Sequence, residues 1–261
     1  LGAKIFKFFG PLTKSHDNVF NNLKRILKTD NKNIISIIAT KSWENLGRTI
    51  AEFAHLSEIT KVNNKYIKVK GDQYLKNIAK NKEQVIFIAI HQSNWEVLAP
   101  TIGNFGIKLN SVYRHINNPL IDRFILNIRK KVYKSSKSIL SPKGKQSAKD
   151  MMMSIKNGYS IALLIDQKDS SGQDVPLMGI SAKTQTAFLK LSKKFNLKIY
   201  PIENKRFDNV HFEMTVHKPL IFFNKENQLD EISAMSNIHN LIGSWIKKNP
   251  ENWLWQHKRW D

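Results

Sequence analysis

The chain has 261 residues, enough for one large domain or two small ones. Apolar residues make up 41 % of it, so a substantial core can form and global disorder is excluded. It contains no cysteine, which excludes thiol catalysis, cysteine-ligated zinc and disulfides. The net charge of +21 predicts an anionic partner, which charge alone leaves open as nucleic acid, an anionic membrane surface, or an acidic protein or substrate.

The first residues are short, aromatic and basic. Apolar and lysine side chains alternate there, and no run in the chain approaches the roughly 18 apolar residues that span a bilayer. The members are Leu1, Lys4, Ile5, Phe6, Lys7, Phe8 and Phe9. This pattern fits the end of a membrane anchor or an interfacial segment, and equally the first turns of a core helix. Because the sequence starts with Leu1 and not with methionine, we expect that an upstream segment of the protein is missing from it.

Helical and strand patterns then alternate along the chain. Helix-type periodicity occupies 42–56, 94–102, 119–131, 148–156, 184–195 and 230–248. Strand-type patterns occupy 85–90, 109–113, 138–140, 161–165, 198–202 and 211–216. This alternation predicts an α/β layered fold in which helices flank a mostly parallel or mixed central sheet. Ligands collect beyond the carboxyl ends of such strands, which directs attention to the residues after Ile90 and Ile165.

His91 follows the strand 85–90 directly and precedes Glu96 by five residues. Asn94 is suited to cap the next helix, which would place Glu96 in its first turn. The carboxylate would then orient one imidazole nitrogen, leaving the other to take a proton from a hydroxyl. The spacing also fits a histidine that merely caps the helix, so both interpretations remain open at this point.

Several short blocks, in the same order, resemble one family. The stretch from His91 to Glu96 is similar to the first motif (His-x4-Glu) of the lysophospholipid acyltransferase superfamily. Its Asn-Trp-Glu ending resembles the lauroyl and myristoyl transferases that add secondary acyl chains to lipid A. Later similar blocks are Val112-Tyr113-Arg114, Asn118-Pro119 with Asp122, Arg129, Asp166-Gln167, the stretch from Val175 to Thr184, and Trp255 with His257, Lys258 and Arg259. The chain departs from the pattern at Lys168-Asp169-Ser170-Ser171 and at Met178.

This resemblance implies an acyltransferase, with His91 and Glu96 as the catalytic dyad and no metal or organic cofactor. It implies an acyl-carrier-protein thioester as donor and a lipid A precursor, bearing phosphate and a free hydroxyl, as acceptor. The substrate-binding residues implied are Arg114, Arg129, Asp166 and Asn94. On the residues alone, Arg129 is also compatible with a solvated helix position or with pairing to Asp122.

The resemblance also implies an enzyme of the lipopolysaccharide pathway on the cytoplasmic face of the bacterial inner membrane, attached peripherally or by an N-terminal anchor. We expect residues 1–41 to form an N-terminal, membrane-proximal helical segment and residues 42–261 the catalytic domain. A glycerolipid acyltransferase of the lysophosphatidic-acid type is the alternative enzyme. A nucleic-acid-binding protein is a distant alternative, suggested by charge only, because no nucleic-acid-binding module is recognisable.

Overall fold

A computed structural model describes residues 1–116, 118–134, 138–144, 146–222 and 228–260. The helices are α1 (Gly2–Phe9), α2 (Ser15–Leu27), α3 (Lys32–Glu52), α4 (Leu56–Ile59), α5 (Asp72–Asn81), α6 (Leu98–Gly103), α7 (Pro119–Lys134), α8 (Ser147–Lys156), α9 (Ala187–Phe195) and α10 (Glu231–Lys248). The strands are β1 (Ile67–Lys70), β2 (Ile86–Ala89), β3 (Leu109–Tyr113), β4 (Ile139–Pro142), β5 (Ser160–Leu164), β6 (Gln173–Leu177), β7 (Ile180–Thr184), β8 (Ile199–Arg206) and β9 (Phe212–Val216).

Seven strands form the central sheet, in the order β1-β9-β8-β2-β5-β3-β4. All neighbours are parallel except β8 and β9, which are antiparallel. Every residue of β2 is buried, as expected for a central parallel strand covered on both faces. The predicted α/β class with a mostly parallel sheet flanked by helices is confirmed.

The sheet separates two apolar layers. Ile86, Ile88 and Ile90 point into one layer, with α2, α3, α8, α9 and α10. Phe87 and Ala89 point into the other, with α5, α6 and α7. Since side chains alternate along a strand, the continuous apolar run 85–90 supplies both layers at once. The candidate site lies at the carboxyl end of β2, and its cavity extends into the second layer.

Several elements differ from the predicted ones. The helix expected from residue 94 begins as a 3-10 turn, Trp95–Val97, and continues as α6. The helix expected from Thr184 begins at Ala187, because Thr184 ends β7 of an antiparallel hairpin, β6–β7, that the sequence did not predict. Met178 and Gly179 make its tight turn, both with positive φ. Strand β1 and helix α5 were also not predicted.

The N-terminal helix packs one apolar side chain against α3 and exposes others, and its membrane-proximal role stays a prediction. Phe6 packs against the Trp43 ring, with centroids 6.4 Å apart, whereas Phe8 and Phe9 are exposed. Helix α3 runs through residue 42 without a break, so the predicted division between 41 and 42 falls inside a helix and stays a prediction. In the described part of the chain, no helix is long and apolar enough to cross a bilayer.

Candidate active site

His91 and Asp166 are brought together by the register of two adjacent strands. Strands β2 and β5 pair in parallel with Ala89 opposite Leu164, so the residues two positions further on also lie side by side. The backbone N–H of His91 donates to Oδ2 of Asp166 at 3.0 Å. Nδ1 of the imidazole lies 2.7 Å from Oδ1 of the same carboxylate. The Asp166 side chain therefore fixes both the backbone and the ring of His91.

The Asp166 carboxylate is fully enclosed, and a tryptophan completes its hydrogen bonding. Asp166 is 2 % exposed, and Nε1 of Trp253 donates to its Oδ2 at 2.7 Å. Burial by itself would raise the pKa of Asp166. The charge and hydrogen bonds of His91, with the Trp253 N–H, outweigh burial and hold that pKa below its ordinary value. Asp166 is thus an ionised partner for an imidazolium.

The second imidazole nitrogen faces the amide of Gln167. The two Nε2 atoms lie 3.2 Å apart, so the amide N–H of Gln167 donates to the ring. This arrangement fits the tautomer in which His91 carries its proton on Nδ1, towards Asp166, and keeps a lone pair on Nε2. A hydroxyl that replaced the Gln167 amide would find a proton acceptor in place.

The expected contact between Glu96 and His91 is not made among the described residues. Glu96 instead accepts from Arg129, with Nε 2.8 Å from Oε2 and Nη2 2.5 Å from Oε1, and from Nε1 of Trp95 at 3.0 Å. The physical reason is where the carboxylates of Glu96 and Asp166 lie. Glu96 lies in the 3-10 turn that faces α7, whereas Asp166 extends from the strand beside His91. The catalytic role of Glu96 stays a prediction.

The Glu96–Arg129 pair is largely buried, with side chains 7 % and 13 % exposed. Burial opposes the charge of Arg129, but the Glu96 carboxylate more than compensates, so the pKa of Arg129 is raised. Burial and the charge of Glu96 also raise the pKa of the neighbouring Tyr133 to about 12, which keeps its phenol neutral. Nη1 of Arg129 is buried and has no hydrogen-bond partner among the described residues. Arg129 is therefore neither a solvated helix residue nor hydrogen-bonded to Asp122, which binds His115 instead.

A second buried ion pair supports the loop between His91 and Glu96. Both terminal nitrogens of Arg206 donate to the carboxylate of Glu52, which also accepts from the side chain of Asn94 at 2.8 Å. Asn94 caps the following turn by accepting from the Glu96 N–H at 3.1 Å, as predicted. Its side chain is 1 % exposed and engaged at both ends. No sequence signal singled out Glu52 or Arg206, because α3 and β8 meet only in the folded chain.

An apolar cavity of about 530 Å³ opens at His91. This volume lies within the roughly 300–1,000 Å³ range of small-molecule sites. Its wall consists of sheet residues and of side chains from α6 and α7, among them Phe87, Ala89, Ile102, Ala162, Leu164 and Ile202. His91, Glu96 and Arg129 are among its ionisable lining residues, and the apolar wall is suited to a hydrocarbon chain.

Basic and polar side chains stand at the cavity mouth. Arg114 follows β3 and is exposed, and Lys143 follows β4. Lys143 lies 3.2 Å from the carboxylate of Asp169. The structure thus places Arg114 at the rim and Arg129 inside, while the side chains of Asp166 and Asn94 hold other protein groups. Their predicted contacts with substrate stay predictions.

The C-terminal aromatic and basic residues lie behind the site. Nε2 of His257 accepts from the backbone N–H of Lys168 at 3.0 Å, and burial lowers the pKa of His257 to about 4. Arg259 is buried and donates to the Lys183 carbonyl and to Thr184. The tail thereby fixes the segment after Asp166. Across the described ranges, no group of three or more histidine, aspartate or glutamate side chains is arranged to hold a metal.

Comparison with known proteins gives one family match. The model of the family described as bacterial lipid A biosynthesis acyltransferase matches residues 1–261. No curated protein sequence matches the chain. A solved structure titled 1-acyl-sn-glycerophosphate (LPA) acyltransferase, PlsC, from Thermotoga maritima is 12 % identical, over 97 % of this chain and 96 % of that one, with a TM-score of 0.42. On the whole-chain family match, the protein belongs to the bacterial lipid A biosynthesis acyltransferase family.

Proposed function

We propose that the protein transfers a fatty acyl chain from acyl-carrier protein to a hydroxyl of a lipid A precursor. The observation that carries the proposal is the His91–Asp166 pair at the opening of an apolar cavity. Acyl transfer needs a base for the attacking hydroxyl and a dry enclosure for a long hydrocarbon chain. Family membership supports the acyltransferase class, and the carrier-protein donor and the lipid A acceptor belong to this proposal.

His91 is the general base of the proposed reaction. The acceptor hydroxyl displaces the Gln167 amide and donates its hydrogen to Nε2 of His91. The oxygen attacks the thioester carbonyl as the proton moves to the ring, which gives a tetrahedral intermediate and an imidazolium. The C–S bond then breaks, the ester forms, and the leaving thiolate takes the proton back from Nε2. Base catalysis of this kind contributes about 10²–10⁴-fold.

Asp166 stabilises the imidazolium in this scheme. Its pKa lies below the ordinary value, so it is ionised whenever His91 must accept a proton. The proposal leaves Glu96 an indirect catalytic role, which is to hold the Arg129 guanidinium in the polar part of the cavity. The backbone N–H groups of Gln92, Ser93 and Glu96 already have protein partners. Arg129 lines the cavity, and its Nη1 is a buried donor without a partner among the described residues, so we assign it to the developing negative charge.

The acceptor phosphate is assigned to Arg114, with Arg129 contributing inside the cavity. Guanidinium groups bind phosphate in a planar, bidentate manner. Arg114 is exposed at the mouth, whereas two nitrogens of Arg129 already bind Glu96. In this proposal Asn94 and Asp166 shape the subsite through the groups that they hold. No metal or organic cofactor takes part.

The excess of basic residues has two proposed roles. It attracts the acidic carrier protein, and it holds the protein on the anionic cytoplasmic face of the inner membrane. Each basic residue close to such a surface contributes about 1 kcal/mol. The proposed localisation is peripheral or N-terminally anchored.

Mass spectrometry of the acceptor tests the function. Purified protein is incubated with acyl-carrier-protein thioester and a lipid A precursor, and in parallel with lysophosphatidic acid. The expected product is the lipid A precursor heavier by one acyl chain, absent when His91→Ala replaces the parent. Acylation of lysophosphatidic acid alone would make the protein a glycerolipid acyltransferase and would reject the proposed acceptor.

A further inference from the structure

Four apolar side chains are exposed at one side of the cavity mouth. They are Ile116, just before α7, and Leu120, Ile121 and Phe124 in its first two turns, together called the rim patch. Leu120 is 77 % exposed and Phe124 58 %. Because Ile116, Ile121 and Phe124 also line the cavity, the patch continues its apolar wall to the surface. Clustered exposure of this kind marks an interaction surface.

The charges beside the rim patch are basic. The exposed charged residues of α7 are Arg123, Lys130, Lys131 and Lys134. At 3.6 residues per turn, Arg123, Lys130 and Lys134 form one stripe next to Leu120 and Phe124. The acidic residue of α7, Asp122, is bound by His115 and by the N–H of Ile116. An apolar patch edged by exposed basic side chains fits hydrocarbon below a layer of anionic headgroups.

A second exposed apolar group lies on α1, which packs against α3. Helix α1 and the turn after it expose Ile5, Phe8, Phe9 and Leu12. Gly2 of α1 lies directly against Gly47 and Ala51 of α3. The adjacent α3 residue Ile50 lines the cavity and is itself exposed. One stretch of α3 therefore connects α1 with the cavity that the rim patch borders.

We propose that the rim patch docks the protein on an anionic lipid monolayer. Leu120, Ile121 and Phe124 insert among the acyl chains while Arg123 and Lys130 contact headgroup phosphates. The cavity then opens into the leaflet, and a lipid acceptor reaches His91 without crossing water. This inference deepens the proposed function and rests on it only in taking the acceptor to be a membrane lipid. An acidic carrier protein would meet the same cations, but it offers no hydrocarbon layer to cover the apolar side chains.

Site-directed spin labelling tests the docking. Because the chain contains no cysteine, Leu120→Cys, Phe8→Cys and, as control, Ile232→Cys each create a unique labelling site. Ile232 is equally an exposed apolar residue, but it lies on α10 and does not line the cavity. On phosphatidylglycerol vesicles the label at 120 should lie about 5–10 Å below the phosphates, the usual depth of interfacial helices. The label at 232 should stay in water.

Two results would overturn the docking proposal. One is a label at 120 that remains as accessible to an aqueous relaxing agent on vesicles as in solution, including the case in which only the label at 8 inserts. The other is an unchanged partitioning of Leu120→Ser onto vesicles. The proposal predicts that this partitioning falls roughly ten-fold or more, because burying a leucine side chain contributes a free energy of that size. Turnover with detergent-dispersed acceptor should not change, and Ile232→Ser should change neither quantity. Unchanged vesicle partitioning with a raised KM for acyl-carrier protein would assign the patch to the carrier instead.

The labelling result is independent of the chemistry. An inserted label at 120 in a protein that acylates no lipid A precursor would reject the proposed function and leave the docking surface standing. An active protein whose label at 120 stays in water would do the reverse.

Discussion

Nδ1 of His91 lies 2.7 Å from Oδ1 of Asp166, and the Trp253 N–H holds the other oxygen of that carboxylate at 2.7 Å. These contacts join residues from three distant parts of the chain into one line behind the cavity. The line ends at Nε2 of His91, which here accepts from the Gln167 amide and which in the proposed reaction accepts the substrate proton.

Trp253→Phe should move the acid side of the pH–rate profile to higher pH. The Trp253 hydrogen bond is one of the interactions that lower the pKa of Asp166, so its loss raises that pKa. Asp166 then takes up a proton at a higher pH as the solution is acidified, and activity is lost sooner. At neutral pH, where Asp166 stays ionised, kcat should change less than it does on the acid side of the profile.

The matched control is Trp255→Phe. Trp255 packs edge-on against Trp253, and its N–H donates to the Pro250 carbonyl rather than to Asp166. Both substitutions replace an indole by a phenyl ring and remove one N–H donor. Equal profiles for the two variants would show that the Trp253 contact has no specific effect on Asp166.

Arg129→Ala should lower stability more than it lowers acceptor binding. It leaves the Glu96 carboxylate buried without its bidentate partner, and breaking a buried pair costs about 3–5 kcal/mol. Urea unfolding measures this loss. Arg114→Ala, at the exposed rim, should leave stability unchanged and raise the acceptor KM roughly ten-fold or more, because a charge-assisted hydrogen bond to phosphate is lost. If Arg129→Ala instead raised the acceptor KM and Arg114→Ala did not, Arg129 would be the main phosphate-binding residue.

Ala162→Leu should shift acyl-chain preference towards shorter donors. Ala162 lines the cavity from β5, four residues before Asp166, which is roughly 13 Å along a strand. The added side chain occupies space that the far end of a long acyl chain would fill. Competition between long and short acyl-carrier-protein thioesters gives the ratio of kcat/KM values. An unchanged ratio in a folded variant would place the acyl chain elsewhere.

The folded protein should lose stability as pH falls from about 6.5 to about 4. Burial lowers the pKa of both His239 and His257 to about 4, whereas an unfolded histidine titrates near 6.5. Within this window the unfolded chain binds protons that the folded chain does not, so unfolding becomes easier with acidification. The Tm measured across this range should fall less steeply for His257→Gln. The exposed His55→Gln is the matched control, and identical slopes for both variants would contradict the assignment.

The sequence predicted the strand end at His91 because β2 is apolar at every position, as buried parallel strands are. It also drew attention to Asp166, at the end of β5. It did not pair the two, because β3 and β4 lie between β2 and β5 in the chain but not in the sheet. Trp253 is 87 residues from Asp166, and no local pattern encodes that contact. Sequence spacing favoured Glu96 as the partner of His91 because spacing indicates which residues are close along the chain. It does not indicate which residues are close across the sheet.

The central claim is that His91 is the base and Asp166 its charged partner. A double-mutant cycle of His91→Ala and Asp166→Asn, with kcat/KM measured on folded proteins, tests it most directly. If the two residues act as a unit, each single variant loses activity severely and the double variant is little worse than His91→Ala. Additive losses would contradict the pairing, and a fully active, folded His91→Ala protein would contradict the mechanism itself.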